Sequence, residues 1–71
     1  MDKDIIAPLP GTILEILVKP GDMIQEGQAV AVLEAMKMEN EIQAEYAGCV
    51  LSVNVAEDDR VTAGTVLVTI G

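Results

Sequence analysis

Seventy-one residues leave room for one domain with a small core, so residues 1–71 read as a single unit. A formal charge of −8 argues against nucleic acid and anionic membrane surfaces as partners, because both require basic patches. Cys49 is the only cysteine and there is no histidine, which leaves no internal disulfide and too few ligands for a zinc site; this usage fits a reducing interior such as the cytoplasm.

The chain opens on "DIIAP", read as a first strand, and continues into "GTILEILV", where branched residues and alternation favour β structure. "KPGD" is a turn, with Pro20 presetting φ and Gly21 free to take a positive φ. A very short strand, Met23–Ile24, is stopped by "QEGQ", and "AVAVLEA" follows as a nearly continuous apolar strand. The second half runs the same way: "MENEIQA", "GCVLSVNV", the turn "AEDD", "RVT", the turn "AG" and "TVLVTI". No stretch carries a helical period of usable length, and no apolar run approaches the ~20 residues of a membrane span. "MDKD" lacks the basic and apolar regions of a signal peptide, and no direct membrane insertion is expected. The fold class is all-β, with about eight short strands.

The two halves are alike. Shifted by 37 residues, "APLPGTILEILVKPGDMIQEGQAVAVL" lies over "AEYAGCVLSVNVAEDDRVTAGTVLVTI" without a gap. Gly11 falls on Gly48, Asp22 on Asp59, Ile24 on Val61, Gly27 on Gly64 and Leu33 on Ile70. Such a repeat predicts a pseudo-twofold in which Ile24 with Val61, Val30 with Leu67, and Leu33 with Ile70 share one core. Its glycines read as turn and bulge formers, since none stands in a phosphate-binding pattern. Cys49, next to Gly48 in a strand, is expected to be a small buried hydrophobe.

The seam between the halves is "EAMKMEN", Glu34 to Asn40. Two strands separated by Met36 and Lys37 predict a hairpin with a two-residue loop, which favours Asn-Gly or Asp-Gly because its central residues take positive φ. Met-Lys breaks that rule, and a broken local rule is a reason to look for function. Two readings stand at this point. Lys37 is an ordinary solvated lysine with Met36 and Met38 packed inward, or it is an amine displayed on the tip of a rigid body, far from paired chain ends. No carboxylate pair is placed for general acid–base work, and no nucleophile has a base.

"EAMKM" resembles the attachment motif of biotinyl domains, the carrier modules of biotin-dependent carboxylases, decarboxylases and transcarboxylases. The resemblance extends over nearly the whole chain, through "APLPG", "VKPGD", "EGQAVAVLEAMKMENEI" and the "GTVLVTI" ending. It implies a flattened barrel of two four-stranded antiparallel sheets with the lysine on an exposed hairpin. It implies biotin joined by an amide to Lys37, with Met36, Met38, Ala35 and Glu34 completing the attachment site. It also implies partners: a biotin protein ligase, and biotin carboxylase, carboxyltransferase or decarboxylase subunits or domains between which carboxybiotin is carried. On this reading the chain is a carrier and no enzyme. "GTILEILVKPGDMI" runs through without the inserted thumb of bacterial acetyl-CoA carboxylase carriers, and "MENEI" looks most like the decarboxylase and transcarboxylase end. Lipoyl domains share the fold and lysine position but present Asp-Lys-Ala there, so a lipoyl or dual carrier for acyl transfer is the alternative.

Overall fold

A computed structural model describes residues 3–71. Eight strands are formed in chain order: β1 (Lys3–Ile6), β2 (Gly11–Ile16), β3 (Met23–Ile24), β4 (Ala29–Ala35), β5 (Met38–Gln43), β6 (Gly48–Val53), β7 (Arg60–Val61) and β8 (Val66–Ile70). They make two four-stranded antiparallel sheets, in the orders β1-β8-β6-β3 and β5-β4-β2-β7. Among the described residues there is no helix, and so none long and apolar enough to cross a membrane.

The sequence repeat reappears as a repeat of hydrogen bonding. Gly11 pairs with Val61 and Thr12 with Arg60; 37 residues on, Gly48 pairs with Ile24 and Cys49 with Met23. The β2–β4 ladder, Ile13 to Leu33 and then Glu15 to Val32 across a bulge, returns in β6–β8 as Val50 to Ile70 and Ser52 to Thr69. Each sheet also borrows one two-residue strand from the other half: β7 closes the edge of β2, and β3 closes the edge of β6. The two halves are thus interlocked, each supplying an edge strand to the other's sheet.

One core lies between the sheets. Ile13, Val30, Ala31, Leu33, Leu67 and Val68 are fully enclosed, with Ile24, Val61, Val50 and Ile70 around them. The three predicted symmetry pairs are all inside it. The alternation along each strand explains this, since residues of one parity face the opposite sheet while the other parity faces water. Two expectations need correction. "GTILEILV" ends as a strand at Ile16: the Leu17 amide makes one more bond to β4, donating to the Val30 carbonyl at 2.9 Å, and the Gly21 amide then donates to the Val50 carbonyl at 2.8 Å as the chain crosses to the other sheet. Cys49 is only half-buried, because it shares its outward parity with Met23, its register partner, while Val50 takes the inward place.

The turns repeat as well. In Lys19–Asp22 the Asp22 amide donates to the Lys19 carbonyl, and in Ala56–Asp59 the Asp59 amide donates to the Ala56 carbonyl, both at 3.1 Å. The carboxylates of Asp22 and Asp59 brace the two turns alike, each accepting from the first residue's amide at 2.9 Å. The third residue must be left-handed in both: Gly21 has φ 95° and Asp58 has φ 74°. Asp is among the few side chains that tolerate this region. Gly21→Ala is therefore expected to cost about 1 kcal/mol in urea unfolding, whereas Asp58→Gly should stay within about 0.5 kcal/mol of the parent. Equal losses at both sites would contradict the assignment.

Because the twofold exchanges the halves, it also exchanges the β4–β5 connection with the place where the chain begins and ends. There Lys3 lies opposite Ile70, and Gly71 is bonded to Cys49 in both directions. The first and last described strands are thus neighbours, on the opposite side of the axis from that connection.

Candidate functional site

Ala35 is the register partner of Met38, so Met36 and Lys37 alone connect β4 to β5. Their φ values are 55° and 64°. Both lie in the left-handed region, the signature of a type I′ turn, whose twist matches that of the strands it joins. Neither residue is one of those that enter this region cheaply. The turn stores strain at Lys37, and the paired strands hold it there.

The flanking side chains point away from the core. Met36 is 84% exposed and Met38 65%, which excludes the reading in which they pack inward. Lys37 itself is exposed. Ala35 is buried, so its part is to seat the end of β4 against the core while the turn projects beyond it. Glu34 is exposed, directly across from Glu39, and like charges in that arrangement disfavour the hairpin.

Asn40 partly offsets this, and nothing singled it out in the sequence. Its side-chain amide donates to the Met38 carbonyl at 3.2 Å and reaches the Leu33 carbonyl at 3.5 Å, bracing the two strands beneath the turn. A short polar residue two positions after Met38 is the only local hint of this. Gly11 has a related part. A Cβ there would land on the backbone oxygen of Glu34, so only glycine lets β2 come this close to β4 where the hairpin leaves the sheet.

The projecting hairpin leaves a groove at its foot, about 510 Å³, open to solvent. It is bounded by Met36 and Lys37 on one side and by Pro10, Gly11, Thr12 and Arg60 on the other, with Glu34 between. Arg60 enters through its pairing with Thr12, which is itself paired with Glu34. The cation, the hydroxyl and the carboxylate thus form one row across β7, β2 and β4. Sequence alone did not bring Arg60 into the groove that Lys37 lines, since its place there depends on a non-local pairing with Thr12.

The fold agrees with what comparison with known proteins shows. Residues 3–70 match a family model described as "Biotin-requiring enzyme". The biotin carboxyl carrier protein of Streptococcus mutans is 53% identical over 64 residues, covering 90% of this chain and 49% of that protein. The mitochondrial propionyl-CoA carboxylase alpha chain of Sus scrofa is 45% identical over 62 residues, covering 87% of this chain and 8% of that one. The chain thus spans about half the length of the first relative and a small part of the second. Among solved structures, the urea carboxylase of Kluyveromyces lactis superposes with a TM-score of 0.93 at 25% identity, over 100% of this chain and 6% of that one. With the match running from the first described strand to the end of the last, the chain belongs to the biotin-requiring enzyme family.

Proposed function

We propose that this chain is a biotin carboxyl carrier, a single domain over residues 1–71 in which the Lys37 Nζ takes biotin in amide linkage. The observation that carries the reading is an exposed amine held on a strained, left-handed two-residue turn between two exposed methionines. The names of the relatives support it, one a biotin carboxyl carrier protein and the other an alpha chain of a carboxylase.

The residues present fit the group. Attachment needs a primary amine that another protein's active site can surround, and Lys37 stands clear of the body on a turn with only two residues in it. A biotin protein ligase would present biotin's carboxyl activated by ATP as a mixed anhydride with AMP; the neutral amine would attack the acyl carbon, the C–N bond form, the acyl–oxygen bond break with AMP leaving, and the amine give up a proton. Bound biotin supplies a ureido nitrogen that accepts and releases a carboxyl group. The chain's own residues make no bonds in that transfer. β4 and β5 fix where the arm starts, Ala35 anchors the end of β4, and Asn40 holds the strands together beneath it. Met36 and Met38 supply soft, adaptable surface to whichever partner receives the hairpin. Glu34 sets the charge beside the turn. Tethering raises the concentration of the cofactor at both partner sites, namely a biotin carboxylase and a carboxyltransferase or decarboxylase, and we place the domain in the cytoplasm with them.

Intact mass and peptide mapping after treatment with a biotin ligase, biotin and ATP test the reading. One biotin on Lys37 is expected, with the formal charge moving from −8 to −9 as one positive charge is lost. Biotin on Lys3 or Lys19, or labelling that survives Lys37→Ala, would sink it. Modification by a lipoyl ligase in preference to a biotin ligase would favour acyl transfer instead.

The methionines give a second expectation. Because both are exposed, Met36→Leu and Met38→Leu should each change stability by no more than about 0.5 kcal/mol. Labelling should persist while carboxyl transfer by the partner enzyme falls. A loss of several kcal/mol in denaturant would mean that these side chains carry the fold.

A further inference from the structure

The twofold provides an internal control for the groove at the foot of the hairpin. Backbone pairing is the same on both sides of the axis, yet the side chains differ. Where the lysine side has Arg60, Thr12 and Glu34, the side with the chain ends has Met23, Cys49 and Gly71. The fold therefore does not require a cation, a hydroxyl and a carboxylate in one row, since its own repeat does without them. They occur together only beside Lys37, lining a groove of about 510 Å³ that continues to the base of that side chain.

The row has the chemistry of a site for a cyclic urea. A ureido ring presents one carbonyl oxygen flanked by two N–H groups. Arg60 offers fixed guanidinium donors to the carbonyl, and Glu34 and Thr12 offer acceptors to an N–H. The bonds from Arg60 and to Glu34 would each have one ionised partner, which makes them the stronger class. The geometry of reach agrees. Arg60 on β7 is two strands from β4, where the turn begins, a separation of about 10 Å. The lysine stem and a valeryl chain together exceed that, so the ring can fold back over the row without strain in the turn. Met36, 84% exposed at the mouth of the groove, offers an apolar edge for the arm to lie along.

We propose that this groove is a resting site for the acyl arm carried by Lys37, with Arg60, Thr12 and Glu34 receiving its ureido ring between visits to partner active sites. The inference rests on the carrier reading. Docking is intramolecular, so weak contacts suffice to populate it, and weak contacts let a partner's pocket take the ring away. Arg60 is a positioning residue for the arm and touches no reacting bond.

The test uses the full chain labelled with nitrogen-15, before and after biotinylation by a ligase. Intact mass decides the carrier reading: a mass unchanged by the ligase removes that reading and the resting site with it. Where the mass rises by one biotin, the groove is read separately. The Arg60 Nε–Hε resonance and the amides of Gly11 and Thr12 should move together with those of Met36 and Met38. In Arg60→Met, which installs the residue its symmetry mate carries, the Gly11 and Thr12 shifts should vanish while the hairpin shifts remain. Avidin should also capture the arm of biotinylated Arg60→Met at least twofold faster than that of the parent, because a docked ring must first be released. Shifts confined to Lys37 and its sequence neighbours, with equal avidin rates for the two proteins, would overturn the resting site and leave the carrier reading intact.

Discussion

Replacing Leu33 by alanine is expected to cost about 2–5 kcal/mol, the range for removing a large aliphatic side chain from a filled core. Leu33 has no exposed surface, and its register partner Ile13 has none either. Its neighbourhood cannot collapse easily. Gly11 already lies against the Leu33 side chain, with no Cβ to move inward, and β4 is held on both sides, by β2 and by β5. A domain of this size has roughly 4–11 kcal/mol in total, so the variant stands near the limit of folding. With a urea m-value near 1 kcal/mol/M, the unfolding midpoint should fall by about 2 M or more. Ile70→Ala, at the matching position of the other half, should lose a comparable amount, because the two side chains close one core from opposite sheets. A loss below about 1 kcal/mol at either position would mean that the core relaxes around the gap and the two sheets are less tightly coupled than their shared strands require.

The repeat that makes those two positions equivalent is legible in the sequence for a physical reason. Glycines at close approaches and apolar residues of inward parity answer to geometry, and the geometry is used twice. Gly11 and Gly48 admit neighbouring backbone or side chain, Gly27 and Gly64 take φ near 90°, and the amides of both reach across to the first residue after a strand. Outward positions answer to nothing in the fold, and there the halves diverge: Arg60 against Met23, Glu34 against Gly71. The candidate turn was legible at Met36 and Lys37 because they break a local turn rule, and both take the positive φ that the two-residue loop implied. It was not legible at Arg60, whose place beside the hairpin is set by a pairing with Thr12 from the other half of the chain. Asn40 escaped notice because a side-chain brace to Met38 leaves no periodic trace. The early exit of β2 after Ile16 escaped for another reason. Leu17 and Val18 have strand-like side chains, and the strand ends where the chain crosses to the second sheet, which the Gly21 amide joins.

Exchanging the turn itself should raise stability while removing function. With Met36→Asn and Lys37→Gly together, the loop acquires the pair that type I′ turns favour. Met36 and Lys37 now hold φ of 55° and 64°, a region that costs an ordinary L-residue about 1–2 kcal/mol. Relief at both positions, less the entropy that a new glycine loses on folding, leaves an expected gain of roughly 2 kcal/mol. In a domain of this length each kcal/mol moves the thermal midpoint by about 4–8 °C, so the rise should be plain in a melting curve, with the urea m-value unchanged. Labelling by the ligase should disappear, since the amine is gone. Met36→Gly alone separates the two effects: about half the gain, with biotin still attached at Lys37. On the proposed carrier reading, a protein that could be stabilised so simply would keep Met-Lys to hold the acceptor amine at the tip of this hairpin, a stability traded for function. No gain from either variant would show that the strands impose the turn without strain, and the methionine beside the lysine would then need a reason outside the backbone.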